Sequence, residues 1–400
     1  MQLTAKQEIG LKLILDRYKA GERYTTIAGY AGTGKSTLVK FAIDALLNMD
    51  INEDEVAYAT FTGKAAEVLR RKGNSSACTL HRLLYKSVPS KNGGYLRMPR
   101  TSLEAKVVVV DEVSMVPASM IQLLLGFPGV YAIFLGDPFQ LPQIEKGDEH
   151  NLLDYPHVFL DEIMRQAAES EIIRLTLSIR EGKSLPETHK GEEVQILPRN
   201  TLNTGMYQWA DQILCATNAT RHGINLQMRE LKGFNSAIAE GEKIIIKKNY
   251  WDKINRYGDP MINGSIGTFH NGCESFKRVP DLCRNITRKT TIPVIIGTFK
   301  PEGIENGDYN SVEFDKDFLT TEKSCLPWEA EYRILTKQRY RDFMPVKMTY
   351  GYAITVHCAQ GSEWENVLVV EEGFPYAKDE HARWLYTAAT RASDKLLLVR

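Results

Sequence analysis

No apolar run in the 400-residue sequence approaches the length of a membrane span, which takes about 20 residues. The N-terminus also lacks the charged, apolar and small-residue order of a signal peptide. Both absences predict a soluble, cytoplasmic protein, and host cytoplasm if a phage encodes it. Neither sign of charge is in excess, because 50 Lys and Arg balance 50 Asp and Glu. That balance argues against a generic polyanion binder, but a nucleic-acid channel needs only a local basic stripe. Cysteine is sparse: the six residues are scattered and form no C-x-x-C pair. A disulfide framework or zinc site is not expected, and the thiols read as reduced, several of them buried. What is plentiful is apolar residues, 43% of the chain, enough for two or three domains with real cores.

The chain is organised around Gly29-Tyr30-Ala31-Gly32-Thr33-Gly34-Lys35-Ser36-Thr37. A β-branched run, Thr25 to Ile27, precedes it as a short buried strand, and an amphipathic helix follows. Leu38, Phe41, Ala42, Ala45 and Leu46 fit one buried helical face. Strand, glycine loop and helix together are the context of a phosphate-binding P-loop. Glycines let backbone N–H groups close on a phosphate, and the helix N-terminus adds positive potential. Lys35 is then expected on the β- and γ-phosphates and Ser36 on Mg²⁺, so ATP and Mg²⁺ are the implied ligands. Gly182-Lys183-Ser184 imitates the motif, but position 177 is Leu and no strand precedes it. That stretch reads as a loop.

Other polar turns follow strand-like runs. Glu55–Phe61 ends in Thr62-Gly63-Lys64, at the end of a strand where open α/β sheets bind ligands. Thr79 reads as a helix cap, and His81 alone fits a capping or core role as well as a functional one. Four consecutive valines, Val107–Val110, predict a strand buried on both faces, ending in Asp111 and Glu112. That pair suits a Walker B site, with Asp111 holding Mg²⁺ and Glu112 orienting or deprotonating water. Val130–Asp137 repeats the layout and leads to Gln140, a candidate γ-phosphate sensor. Thr4 and Gln7 have capping-box spacing, compatible with Gln7 also reading adenine. A lone Arg165 reads as a surface residue.

Between Ser87 and Arg100, Asn92-Gly93 is a strong hairpin turn. Strand patterns recur at 211–217, 365–371 and 395–399, and from about 241 to 340 short β-rich runs alternate with turns. The runs are 243–248, 266–270, 291–299 and 331–337, read as a small antiparallel β domain. Its Lys247, Lys248, Lys253 and Arg256 beside Tyr250 and Trp251 fit a nucleic-acid patch or a solvated edge strand equally well.

The ordered set resembles the superfamily 1 helicases of the RecD and Dda type. It comprises Gln7, the P-loop, Phe61–Ala66, Thr79–His81, Asp111-Glu112, Gly136–Gln143, Arg165-Gln166, Thr217-Asn218, Tyr352–Glu363 and Tyr386–Arg391. The resemblance implies an α/β fold of two RecA-like parallel-sheet lobes. It places the first over 1–85 and 105–168 and the second over 169–240 and 341–400. A β-hairpin pin is then expected at 86–104 and an SH3-like β domain at 241–340. It also implies an ATP-dependent DNA helicase moving 5′ to 3′, a polarity that comes only from the resemblance. It promotes Arg165 and Arg391 to arginine fingers and sets Gln7 on adenine. Gly361 and Glu363 are expected to face the nucleotide. Phe61, Thr62, Thr79, His81, Tyr95, Thr217, Asn218, Thr355 and His357 are expected along the DNA strand. Implied partners are single-stranded DNA and forks, with a single-strand-binding or replication protein as candidate, for a monomer that meets no membrane.

Two positions depart from the family pattern. Phe61 stands where relatives commonly have Pro, so the contact there is expected to be a stacking one. The last motif reads Thr387-Ala-Ala-Thr390. With no nuclease motif and no long N-terminal extension, the compact stand-alone type is expected. Rival readings are a motor subunit that needs a partner, a P-loop phosphotransferase and a non-catalytic nucleic-acid binder.

Overall fold

Val107 to Val110 are at most 1% exposed, as a strand covered on both faces requires. In the computed structural model of the chain they lie at the centre of a six-stranded sheet. The structure describes residues 3–49, 51–71, 73–74, 76–89, 95–142, 152–281, 285–326, 330–331 and 344–400. Strand order in this first sheet is Cys78–Thr79, Val56–Thr60, Val107–Asp111, Tyr131–Gly136, Tyr24–Gly29 and Val158–Leu160. Every neighbour pairs in parallel. Parallel pairing brings the turns after Gly29, Thr60, Asp111 and Gly136 to one edge, where ligands of open sheets collect.

The P-loop helix, Lys35–Leu47, packs on this sheet through Leu38, Val39, Ala42, Ile43 and Leu46. Val39 and Ile43 complete the buried stripe in place of Phe41 and Ala45, which are half-buried. The reason is in the neighbours: Ile51 and Val56 join the same core cluster as Val39 and Ile43.

A second six-stranded sheet has the order Ala353–Thr355, Gln212–Cys215, Trp364–Val370, Ala392–Val399, Val194–Leu197 and His189–Lys190. Its central pairings are parallel, and the His189–Lys190 edge pairs antiparallel with Val194–Leu197. Both parallel sheets fall in one compact unit, Met1–Leu84, Arg100–Arg221 and Ile354–Arg400. Gly182 has φ +68 and ends the helix Glu171–Arg180, so the imitation motif there is a loop.

The other unit holds Tyr85–Pro99 and His222–Ala353. Its antiparallel sheet runs Tyr309–Asp315, Asn285–Pro301, Ile266–Asp281, Glu242–Ile246 and Met348–Tyr350. Strands expected over 266–270 and 291–299 are much longer, because residues 271–278 continue the ladder across a register shift after His270. Most of the run expected at 331–337 lies outside the described residues. Tyr85–Pro89 pairs with Tyr95–Pro99 as a hairpin, and the return strand lies against Tyr250–Ile254. Its Asn92-Gly93 turn is outside the described residues. Two members of the expected basic patch are engaged within the chain. Tyr250 is only 6% exposed, its hydroxyl accepts from the Lys347 amide at 2.6 Å, and Lys248 pairs with Glu331.

Of the six cysteines, Cys283 lies outside the described residues and the other five are free thiols. Only Cys215 of these is buried, fewer than expected. Among the described residues no helix is long and apolar enough to cross a membrane, and no cluster of His, Cys, Asp or Glu suits a metal held by those residue types alone.

Candidate functional site

The P-loop leaves Tyr24–Gly29 and enters its helix at Gly34, whose φ is +78. A Cβ there would meet the Gln7 amide nitrogen at 2.4 Å as well as being strained, so both space and backbone demand glycine. Gln7 is 1% exposed, and its Oε1 accepts from the Thr4 amide at 3.0 Å. Its Nε2 donates to the Gly34 and Thr33 carbonyls at 3.3 and 3.4 Å. The capping box therefore exists, and the same amide braces the P-loop from behind. Lys35 Nζ donates to the carbonyls of Gly29 and Tyr30 at 2.7 and 2.9 Å, and Thr33 Oγ1 to Tyr30 at 2.8 Å. Ala31 and Gly32 complete the turn, and Thr37 follows Ser36 into the helix. The Met164 amide donates to the Gly32 carbonyl at 2.9 Å, which brings the start of the short helix Arg165–Ala168 to the loop. Arg165 itself is described in its backbone only.

Ser36, Asp111, Glu112, Gly361, Glu363 and Arg391 line one cavity of about 130 Å³. Three of them come from the first sheet and three from the second. Glu112 is a non-glycine residue in the left-handed region, φ 54 and ψ 45, with its amide donating to Asp111 Oδ1 at 2.8 Å. Its carboxyl is pushed above the usual range by desolvation, against the pull of Arg391. Asp111 and Asp137 add to the rise, and Lys35 opposes it. Arg391 Nη1 stands 3.8 Å from Glu112. In the amide orientation that satisfies both neighbours, Gln140 donates to Glu112 Oε2 at 3.1 Å and accepts from Arg391 Nη2 at 3.2 Å. Serine hydroxyl and aspartate carboxylate are hard oxygen donors, a set that fits Mg²⁺. Gly361 closes the seam, since a Cβ there would meet Thr62 Oγ1 at 2.9 Å.

Residues that spacing alone does not promote tie the two sheets together. The Tyr386 hydroxyl donates to Asp137 Oδ2 at 2.5 Å and accepts from the Ala31 amide at 2.9 Å. Burial, chiefly, and the Asp137 carboxylate push the Tyr386 phenol far above its ordinary range, so it remains a donor. Around it, Gln360 Nε2 donates to the Leu141 carbonyl at 2.5 Å and Arg383 Nη1 to Pro138 at 2.8 Å. The Leu141 amide donates to Thr387 Oγ1 at 3.0 Å. The Gln140 loop is thus held by the second sheet. Tyr386→Phe is expected to cost about 1–3 kcal/mol, because it leaves buried Asp137 and the Ala31 amide short of a partner. A denaturation midpoint equal to that of the unmodified chain would show that this tie carries no weight.

The residues expected along a strand fall into two groups. Thr60 pairs with Thr79, so the turns after both stand on one edge. There Phe61 and His81 have ring centroids 5.4 Å apart, while Thr62 and Thr79 Oγ1 each accept at 3.2 Å from a helix amide, those of Ala65 and Arg82. In the second sheet, Glu372 occupies the start of the helix Asn218–Leu231. Its Oε2 accepts from the Ala216 and Thr217 amides at 2.7 and 3.0 Å. Its Oε1 accepts from Thr217 and Thr220 hydroxyls at 2.9 and 2.5 Å. Burial would raise its pKa, but these hydrogen bonds outweigh it and hold the carboxyl below the usual range. Asn218 Oδ1 accepts from Arg221 Nε at 3.2 Å. Thr355 precedes the short helix Val356–Ala359, and burial lowers the His357 pKa, keeping the ring neutral. Tyr95 is described in its backbone only.

Comparison with known proteins finds relatives that share these features. An AAA domain model matches residues 2–197, and a UvrD-like helicase C-terminal domain model matches residues 350–399. The ATP-dependent RecD2 DNA helicase of Deinococcus radiodurans is 27% identical over 392 residues, covering 96% of this chain and 47% of its own. The chain is similar to the superfamily 1 helicases of the RecD and Dda type. The ATP-dependent DNA helicase dda of Enterobacteria phage T4 is 28% identical over 194 residues, 45% of this chain and 43% of its own. The matched part of the chain therefore spans less than half the length of either relative. Among solved structures, a Bacteroides Pif1 helicase in complex with ADP-AlF3 and ssDNA superposes with a TM-score of 0.50 at 16% identity. It covers 100% of this chain and 92% of that one, and the likeness supports a RecA-like helicase fold.

Proposed function

We propose that the chain is an ATP-dependent DNA helicase that moves 5′ to 3′ on single-stranded DNA. The observation that carries this is the Glu112–Gln140–Arg391 contact, in which a first-sheet carboxylate and a second-sheet guanidinium share one amide. A site completed only when two sheets meet couples hydrolysis to their motion.

In this reading Gly29–Thr37 cradle the phosphates, Lys35 neutralises them and Gln7 stands beside adenine. Ser36 and Asp111 hold Mg²⁺, which supplies positive charge to the phosphate oxygens. Glu112 takes the proton of the attacking water, and Gln140 orients it. Arg165 and Arg391 stabilise transition-state charge, while Gly361 and Glu363 close the cavity. Phe61, Thr62, Thr79, His81, Tyr95, Thr217, Asn218, Thr355 and His357 belong to the strand path. The hairpin Tyr85–Pro99 serves as the pin, since each base-pair step resists opening by roughly 1.4 kcal/mol of stacking. The antiparallel sheet of residues 242–350 is the SH3-like domain. A single-strand-binding or replication protein is the protein partner this chemistry calls for, and the unit acts as a monomer.

ATP turnover measured with and without oligo-dT, alongside unwinding of duplexes carrying a 5′ or a 3′ tail, tests the proposal. Strand-stimulated hydrolysis and selective opening of the 5′-tailed duplex are expected. Hydrolysis indifferent to DNA would sink the helicase reading, and opening of the 3′-tailed duplex alone would reverse the polarity.

A further inference from the structure

The second sheet orders three strands next to one another, and parallel pairing of the last two sets their following turns side by side. The strands are Ala353–Thr355, Gln212–Cys215 and Trp364–Val370. The first two and the turns after them carry Thr355, His357, Thr217 and Asn218, all assigned to the strand path above. The turn after the third carries Phe374 and Tyr376, to which no role has been given. Large aromatic side chains ordinarily turn inward, yet Phe374 is 42% exposed and Tyr376 89% exposed. Their rings meet edge to face with centroids 5.6 Å apart. The loop that carries them is anchored at its base. Glu372 is bound by two amides and two hydroxyls at the start of the Asn218 helix. His381 and Arg400 stand at 2.9 and 3.2 Å from neighbouring Glu371.

That anchor has a second consequence. Two amides and two hydroxyls at the Asn218 helix start serve the Glu372 carboxylate, so the loop is seated by the protein itself and not by a bound strand. What the loop offers is ring surface. Aromatic faces bind unpaired bases by stacking without regard to sequence, which a protein moving along a strand needs.

We propose that Phe374 and Tyr376 form a base-stacking platform for single-stranded DNA, continuing the strand path past Thr217, with Glu372 as its positioning residue. The proposal rests on the helicase reading. Glu372 sets the loop without touching the bases, and the two rings take the place of the stacking that a base loses outside a duplex.

The test is the affinity of oligo-dT for the full chain and for the Phe374→Ala/Tyr376→Ala variant, each measured over a series of salt concentrations. Affinity is expected to fall on the order of tenfold or more, as for other base–aromatic stacks. The log–log salt slope is expected to stay the same, because no phosphate contact, worth about −0.7 each, is lost. An abasic oligonucleotide should bind both proteins alike. Tyr376→Ala alone, at the most exposed ring, gives the same readout should the double variant fold poorly. Glu372→Gln should weaken dT binding more than abasic binding if the anchor positions the rings. Unchanged affinity in the variants, or a shallower salt slope, overturns the platform. A parent chain with no affinity for oligo-dT overturns the helicase reading itself, and the platform with it.

Discussion

Glu112→Gln is expected to bind ATP and hold it unhydrolysed, with strand-stimulated turnover lower by roughly a hundred- to ten-thousandfold, the range for a lost general base. The substitution keeps shape, removes basicity and charge, and turns one acceptor oxygen into a donor. Glu112 has the features that make a carboxyl a useful base. Desolvation raises its pKa above the usual range, and its amide is fixed on Asp111 Oδ1 at 2.8 Å. The raised pKa also predicts an acid limb of turnover that lies higher than for an ordinary glutamate. For stability the sign runs the other way. A carboxyl whose folded pKa lies above its unfolded value binds more protons when folded, so stability falls as pH rises through that window. At neutral pH the native Glu112 therefore costs stability that glutamine does not. The variant should melt no earlier than the parent chain. Near-normal turnover would remove Glu112 from the role of base, and weak ATP binding with an early melt would mark the change as structural.

What could be read in the sequence was what each strand carries on its own. The P-loop is contiguous, its glycines are needed where φ is positive, and the Val107–Val110 run announces a doubly covered strand that ends on Asp111 and Glu112. Parallel pairing then does the rest, since strands aligned in one direction deliver all their terminal turns to one edge. Less legible were contacts whose partners lie far apart in the chain. Tyr386 looks like any core aromatic until Asp137 and the Ala31 amide are seen on its hydroxyl. Glu372 is an ordinary acid until two amides and two hydroxyls converge on it. Both residues act through partners more than a hundred positions away, where local periodicity carries no information.

Local pattern also misjudged extent and face. Period-2 apolar alternation ends near residue 270, so the long ribbon Ile266–Asp281 with Asn285–Pro301 looked short. In its outer part the pairing of its own two strands continues, with Val279 and Ile292 buried. On the P-loop helix, apolar residues surround more than half the circumference, and only the position of Ile51 and Val56 decides that Val39 and Ile43 face inward. Such choices belong to tertiary packing.

Arg391→Ala is expected to leave ATP affinity within a few-fold while turnover drops on the order of a thousandfold or more, the scale of a lost arginine finger. Arg391 is 4% exposed and lies just before the strand Ala392–Val399, distant in sequence from every residue of the P-loop. Its guanidinium is aimed by its own sheet. Nε donates to the Thr387 carbonyl at 3.1 Å, Nη1 to Ser362 at 3.2 Å and Nη2 to Thr390 Oγ1 at 3.1 Å. What remains of its donor capacity points across to Gln140 and Glu112. Alanine removes the cation that lowers the Glu112 pKa, so that carboxyl should rise further and the acid limb of residual turnover should move up with it. Lysine is a sharper probe than alanine. It restores the charge but not the planar fork, and one ammonium cannot satisfy the Thr387, Ser362 and Thr390 oxygens while reaching the other sheet. Arg391→Lys should therefore recover little turnover. Single-turnover hydrolysis with bound oligo-dT, run beside titration with a fluorescent ATP analogue, separates binding from chemistry in both variants. A turnover number unchanged in Arg391→Ala would show that the second sheet contributes nothing to hydrolysis. Full rescue by lysine would reduce Arg391 to a point charge, and the fixed geometry around its guanidinium would then have no catalytic meaning.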